Sequence, residues 1–253
     1  MILAAATLFE RELLRFYRDR GRVMGAILPP IIFWFLLGTG LGTSFRLPGA
    51  AKPVDFLEYF FAGTLLLIVL FTSVFATISV IEDRREGFLQ AVLVCPASRL
   101  SVVLGKVGGA TAVGFLQGLA FLAFAAKAGF SPTPAGWFEA ALALLLSSLG
   151  LTALGFAIAW KSQSTQGFHA VMNLFLLPLW MLSGAIFPLR SAPAWLRLVM
   201  RINPISYGVG AIQEALAPAQ GIAGLPDLAS SLVILAVMSA ALTAFAAYVA
   251  ATE

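Results

Sequence analysis

The chain has 253 residues, of which 60% are hydrophobic and only 11% are charged. About a quarter of the residues of a soluble domain are charged, so this composition excludes an ordinary soluble domain and indicates an all-α integral membrane protein. The net charge of +4 does not predict nucleic acid as a partner, because the basic residues lie at the ends of apolar stretches, where membrane orientation explains them. One Cys and one His exclude an internal disulfide and predict no metal site.

The first 22 residues predict an amphipathic helix at the membrane surface. Apolar residues recur at helical spacing, and four arginines follow another face of the same helix: Arg11, Arg15, Arg18 and Arg22. Such a helix places its apolar side at the acyl boundary and its basic side toward the anionic headgroups of membrane lipid. The late charges and the absence of a small-residue cleavage site argue against a cleavable signal peptide.

Six uncharged stretches follow, each of about 20 residues, which is the length that an α-helix needs to cross the hydrocarbon core. They lie near 23–45, 59–81, 107–126, 140–160, 168–189 and 228–250. We therefore predict a single membrane domain over 1–253. With the N-terminus inside, ten of the 16 basic residues lie on the inner side, which favours two cytoplasmic termini. Gly38/Gly42, Gly105/Gly109 and Gly114/Gly118 predict close packing within the bundle, with a dimer face as the alternative.

Between the second and third spans lies a polar segment, Glu82–Lys106, which begins with five consecutive charged residues. Behind them, Phe88 and Leu89 start an apolar pattern at helical spacing that predicts a short surface helix over 82–94. Pro96 would end this helix. A solvated loop that only turns the chain is the alternative.

The connection 190–227 is too long and too apolar for a simple turn. Two segments, 195–202 and 205–216, are predicted to form helices that are too short to span the membrane. Asn203 and Pro204 would break the chain between them. These helices are expected either to cover the outward end of the bundle or to form a re-entrant pair.

The chain contains no Walker A motif, no H-E-x-x-H and no G-x-S-x-G. It therefore predicts a non-catalytic subunit without a cofactor of its own. The spans also contain no Asp, Glu, Lys or Arg well inside them, which argues against an autonomous secondary carrier. A third possibility is an intramembrane enzyme, but the sequence shows no set of catalytic residues that such an enzyme would need.

The motifs within the polar segment Glu82–Lys106, together with two motifs near the end of the chain, resemble those of ABC-2 type transporter permeases. They comprise Glu82 to Gly87, Leu93, Pro96-Ala97-Ser98-Arg99 and Gly105-Lys106, and near the end of the chain Leu182 to Pro188 and Asn203-Pro204-Ile205-Ser206-Tyr207. Phe88, Gln90 and Cys95 depart from the residues that are frequent in the family.

The resemblance implies the permease subunit of an ABC exporter in the plasma or inner membrane of a prokaryote. It implies two copies of a separate ATP-binding subunit, which hold ATP and Mg, and a second permease copy that is identical or related. The helix 82–94 would then be the coupling helix, seated in a groove of the ATPase. The residues that the resemblance assigns to this contact are Glu82, Asp83, Arg84, Arg85, Glu86, Gly87, Phe88, Leu89, Pro96, Ser98 and Arg99.

The expected substrate is amphipathic, drug-like or lipid-linked, because the spans offer apolar and aromatic surfaces. A polysaccharide or glycoconjugate is the alternative within the same family, since aromatic rings also stack on sugars. Side chains proposed for the path are Phe33, Phe71, Phe75, Gln117, Phe175 and Trp180.

Overall fold

A computed structural model describes residues 2–42, 54–94, 98–189, 192–218 and 227–252, and these residues form a helical bundle. Its ten α-helices are α1 (Ile2–Arg18), α2 (Arg20–Leu41), α3 (Phe56–Arg85), α4 (Phe88–Val94), α5 (Arg99–Leu122), α6 (Pro134–Lys161), α7 (Thr165–Trp180), α8 (Ala194–Ile202), α9 (Pro204–Leu216) and α10 (Leu228–Thr252). A π-helical turn, Met181–Ala185, extends α7. Six helices, namely α2, α3, α5, α6, α10 and α7 with its π turn, are long and apolar enough to cross a membrane. The predicted six-helix, all-α membrane architecture is confirmed.

The helix bounds differ from the predicted ones at two sets of charged residues. The third span was predicted to begin at 107, but α5 begins at Arg99 and carries Lys106 within it. A buried partner makes this possible, because a paired charge can be held inside a helix bundle. The first helix ends at Arg18 rather than at 22, and Asp19 begins α2 as its N-cap.

Helix α3 is the centre of the bundle. Most of its residues are buried, including Tyr59, Phe60 and Phe61, and it packs against α2, α5, α6, α7 and α9. By contrast, α2, α7 and α10 have few buried residues. A displacement of α3 would therefore be transmitted to most of the other helices.

Contacts along α3 define two ends of the bundle. At the C-terminal end of α3, Arg84 donates to the carbonyl of Trp160 in α6, and Arg99 donates to the carbonyl of Ala250 in α10 at 2.9 Å. At the N-terminal end, Gln213 of α9 donates to the carbonyl of Tyr59. The C-terminal ends of α6 and α10 thus lie at the end of the bundle where α3 finishes.

Glycines allow the closest helix contacts. A methyl group on Gly105 would lie 2.6 Å from Leu8 Cβ, and one on Gly109 would lie 2.8 Å from Glu12 Cβ. These two glycines therefore seat α1 directly against α5. Gly114 and Gly118 approach α6 in the same way, and Gly38 approaches the first turn of α3. Internal packing is confirmed for these glycines.

The segment before the last span contains the two predicted short helices, α8 and α9, and they are separated at Asn203. The Asn203 Nδ2 donates to the carbonyl of Leu179 at 2.6 Å, and its Oδ1 accepts from the N–H of Ile205 at 3.0 Å. Pro204 occupies the first position of α9, where no N–H is needed. The Tyr207 hydroxyl donates to the carbonyl of Arg201 at 2.6 Å.

Almost every residue of α9 is buried, among α3, α6 and α10. This helix is therefore inserted into the bundle rather than laid over its end. Residues 190–191 and 219–226 of the predicted segment lie outside the described residues.

Candidate coupling site at the end of α3

The predicted helix 82–94 is divided in the structure. Glu82 to Arg85 form the last turn of α3, because the apolar helix continues into the charged residues without a break. Gly87 then adopts a φ of 77°, a conformation that glycine accepts readily, and α4 begins at Phe88. The surface helix is thus limited to seven residues, Phe88–Val94. Pro96, predicted to end it, lies outside the described residues.

Asp83 is the centre of a buried ion cluster. Its two oxygens accept from both Nη atoms of Arg11 at 2.7 and 2.8 Å, from Arg15 at 2.5 Å and from the Lys106 Nζ at 2.5 Å. The side chain has no exposed surface. Asp83 was expected to contact an ATPase, but it is fully occupied by three cations of its own chain.

Lys106 and Glu12 complete the cluster. The Lys106 Nζ lies 2.8 Å from Glu12 Oε1, and the two side chains are 2% and 4% exposed. Removing one partner of such a pair leaves an uncompensated buried charge, which is strongly destabilising. Sequence analysis did not identify Glu12 as a site residue. Its acidic side chain on an otherwise basic helix was the feature that could have suggested a pair with Lys106.

Glu82 extends the cluster to the joint between α1 and α2. It accepts from Arg15 at 2.8 Å and from Arg22 at 2.5 Å, and Arg22 also binds Asp19 at 2.8 Å. Hydrogen bonds, first from the backbone N–H of Arg22, lower the pKa of the Asp19 carboxyl below its ordinary value. The joint is thereby fixed to the end of α3.

These contacts change the interpretation of the four arginines predicted to face lipid headgroups. Arg11 and Arg15 of α1, and Arg22 of α2, bind carboxylates of α3, whereas Arg18 is exposed. Hydrogen bonding to Asp83 also raises the pKa of Arg11. Among the described residues, no group of His, Cys, Asp and Glu side chains forms a set that could hold a metal ion.

The remaining predicted charges mostly bind the chain's own backbone. Arg84 donates to the Ser162 carbonyl at 3.3 Å and lies over the Trp160 ring, 5.7 Å from its centroid. Arg85 donates to the carbonyl of Gln163 at 3.3 Å, so both arginines hold the α6–α7 connection. Ser98 caps α5 by accepting from the N–H of Ser101, and Arg99 holds the end of α10.

Helix α4 presents the exposed part of this region. Leu89, expected to contact the ATPase, is only 3% exposed and packs into the chain's own core. Phe88 lies under the Arg11 guanidinium, with 3.9 Å between its ring centroid and Cζ. Among the described residues from 86 to 94, the exposed ones are Glu86, Gln90, Ala91 and Val94, which we call the α4 face. Val94 is 87% exposed.

A groove of about 720 Å³ runs along α1 beside the α4 face. Glu86 contributes one wall, and its carboxylate lies 3.7 Å from Arg15. The other lining residues come from the outer side of α1 and from Asp19. The cluster, the groove and the α4 face are therefore continuous.

The residues proposed for a path fall into two groups. Gln117 and Trp180 are buried in the chain: Thr72 donates to the Gln117 Oε1, and the Trp180 Nε1 donates to the Gly63 carbonyl at 2.8 Å. Both side chains pack inside this chain, and their place in a path stays a prediction. Phe71 and Phe75 are partly buried and stack on each other, with centroids 6.4 Å apart. Phe33 and Phe175 are more than half exposed, on α2 and α7.

The sequence matches the ABC-2 type transporter family over residues 4–217. It is 26% identical to a protein of Cyanophora paradoxa named as transport permease ycf38, over 81% of this chain and 71% of that protein. It is 25% identical to Nodulation protein J of Sinorhizobium fredii, over 85% of this chain and 81% of that protein. A further relative, from Escherichia coli, is named as multidrug ABC transporter permease YbhR; it is 29% identical over 52% of this chain and 36% of that protein. The chain belongs to the ABC-2 type transporter family and is a permease subunit of an ABC transporter.

Proposed function

We propose that this permease acts as one of two copies, identical or related, driven by two ATP-binding subunits that dock on the α4 face. The observation that carries this proposal is the continuity between an exposed short helix and a buried ion cluster that joins α1, α3 and α5. ATP and Mg belong to the partner subunits.

Two sets of contacts connect α4 to the rest of the bundle and could transmit its movement. A two-residue turn joins it to the end of α3, and Leu89 packs into the same core as α3. Phe88 touches Arg11, which binds Asp83. A partner that moves α4 would therefore pull on α3 directly and on α1 through the cluster. Because α3 is the central helix, that motion would reach the helices on either side of it.

The cytoplasm is the side that we propose for the cluster, the α4 face and both termini. Ten of the 16 basic residues are then on the cytoplasmic side, as the positive-inside bias requires. The prokaryotic plasma membrane, or inner membrane, is the proposed location.

The proposed cargo of this exporter is an amphipathic molecule, drug-like or lipid-linked. Phe33 and Phe175 leave apolar aromatic surface uncovered on α2 and α7, which suits a ligand that is itself partly apolar. A relative in Escherichia coli is named as a multidrug ABC transporter permease. Membrane lipid would surround the same helices.

A matched pair of substitutions tests the docking surface. Ala91 in α4 and Ala229 in α10 are both exposed, and they lie at opposite ends of the bundle. Ala91→Arg should abolish co-purification with the ATP-binding subunit, whereas Ala229→Arg should retain it. Retention by both variants would exclude the α4 face as the docking surface.

The cargo class is tested separately, in proteoliposomes that contain the permease and its ATP-binding subunit. A fluorescent amphipathic dye and a fluorescent oligosaccharide serve as alternative probes. ATP-dependent movement of the dye but not the oligosaccharide is expected. The reverse result would favour a polysaccharide exporter, and movement without the ATP-binding subunit would contradict the permease mechanism.

A further inference from the structure

Within the described part of the chain, helix α8 contacts the bundle with one of its sides. Met200 is buried with Leu189 and Ala192, and Leu196 packs against this small group. Three large apolar side chains of the same helix are uncovered: Trp195, Leu198 and Ile202 are 61–68% exposed.

The helical period separates the residues of α8 into three directions. With about 100° per residue and Trp195 at 0°, Leu198 and Ile202 lie at about −60° and −20°. Arg197 and Arg201 lie at about 200° and 240°, and both are exposed. The bundle-facing residues occupy the third direction, between these two. The helix therefore has a protein side, an uncovered apolar side and a cationic side.

The position of α8 places it near a membrane boundary. It begins at Ala194, nine residues after the π turn that ends the fifth candidate span at Ala185. Its C-cap residue, Asn203, donates to the carbonyl of Leu179 in that span. The helix is therefore held at the end of the hydrocarbon region, opposite the ion cluster.

We propose that α8 docks on a phospholipid surface, with Trp195, Leu198 and Ile202 in the acyl boundary and with Arg197 and Arg201 on anionic phosphate groups. A lipid surface offers hydrocarbon and phosphate on two neighbouring sides of a helix that lies along it. Tryptophan is enriched at this level of a membrane, and a guanidinium matches the geometry of a phosphate.

Charge complementarity favours lipid over a second copy of the chain. A copy packed through its own α8 would bring four arginines to the rim of one contact, and α8 contains no acidic residue to neutralise them. Anionic lipid neutralises them without another protein. This docking is independent of the ATP-binding subunit and of the cargo.

Nitroxide labels test the proposal in the full chain, with Cys95→Ser to remove the native thiol. The chain is reconstituted in nanodiscs of phosphatidylcholine with phosphatidylglycerol, and labels are attached through Leu198→Cys or, as the matched control one position away, Arg197→Cys. Collision rates are measured with oxygen, which concentrates in lipid, and with an aqueous nickel complex. Label 198 should favour oxygen and label 197 should favour nickel.

A charge comparison uses label 198 in nanodiscs with and without phosphatidylglycerol. Each arginine should change the ratio of docked to undocked helix by about fivefold at an anionic surface. Phosphatidylglycerol should therefore increase the depth of label 198 in the membrane. The double variant Arg197→Gln with Arg201→Gln should remove that increase. If label 198 is as accessible to nickel as label 197, or is shielded from both reagents with dipolar broadening between copies, lipid docking is overturned. If depth is independent of phosphatidylglycerol, the role of the arginines is overturned.

Discussion

Removing the Lys106 ammonium is the sharpest test of the ion cluster. In Lys106→Met, Asp83 keeps Arg11 and Arg15, whereas Glu12 keeps, among the described cations, Arg11 alone at 3.6 Å. Breaking a buried pair costs about 3–5 kcal/mol. Because Asp83 remains compensated, we expect a loss near the lower limit, about 3 kcal/mol in the free energy of unfolding.

A double-mutant cycle separates this effect from a general loss of packing. Glu12→Gln alone should cost about 1.5–3 kcal/mol, since Lys106 loses a charged acceptor but retains Asp83. Lys106→Met with Glu12→Gln should cost less than the sum of the two single variants by about 0.5–3 kcal/mol, because the second change removes the charge that the first leaves unpaired.

The assay for all variants of the cycle is unfolding in mixed micelles. Arg18→Gln, at an exposed site, is the control and should stay within about 0.5 kcal/mol of wild type. Strict additivity, or a Lys106→Met variant as stable as the control, would refute the pairing.

Three further predictions concern helix contacts. Gly105→Leu should detach α1 from α5, because even a methyl group there would lie 2.6 Å from Leu8 Cβ. Trypsin should then cleave α1 faster than in Gly40→Leu, where a methyl group would meet no described atom of another helix within 4 Å; equal rates would contradict the contact. Asn203→Ala should lower the free energy of unfolding, measured in the same micelles, by about 1–3 kcal/mol. The reason is that α9 loses its N-cap and the Leu179 carbonyl loses a donor; an unchanged free energy would exclude a stabilising role for Asn203. Leu89→Asp should destabilise the isolated permease, unlike Ala91→Arg, because only Leu89 is buried; equal thermal midpoints for the two variants would place Leu89 at the surface instead.

The sequence predicted those features that depend on local patterns. Six apolar stretches of spanning length became the six candidate spans, because hydrophobic length alone decides which helices suit a bilayer. The break at Asn203-Pro204 was also predictable, since proline favours the first position of a helix and asparagine favours the cap before it.

The interior of the candidate site was not predictable, because its partners are distant in the chain. Glu12 and Lys106 are 94 residues apart, and only the packing of α1 on Gly105 and Gly109 brings them together. A charge pattern alone cannot tell a carboxylate that binds a partner protein from one that binds its own chain. Asp83 belongs to the second kind.

The apolar pattern after Gly87 had the same ambiguity. A side chain on the apolar face of a short helix can enter either its own bundle or a groove in a partner. Leu89 takes the first option, which leaves the opposite side of α4 for contact. The coupling helix therefore stays a proposal, and the residues now proposed to contact the partner are those of the α4 face.

Site-specific photo-crosslinking tests the central claim most directly. A photoreactive amino acid is placed at Val94, on the α4 face, or at Phe138, which is 70% exposed near the start of α6 at the opposite end. In the assembled transporter, position 94 should crosslink to the ATP-binding subunit and position 138 should not. A crosslink from 138 and none from 94 would contradict docking at the end of α3 and, with it, the proposed route from ATP hydrolysis to helix movement.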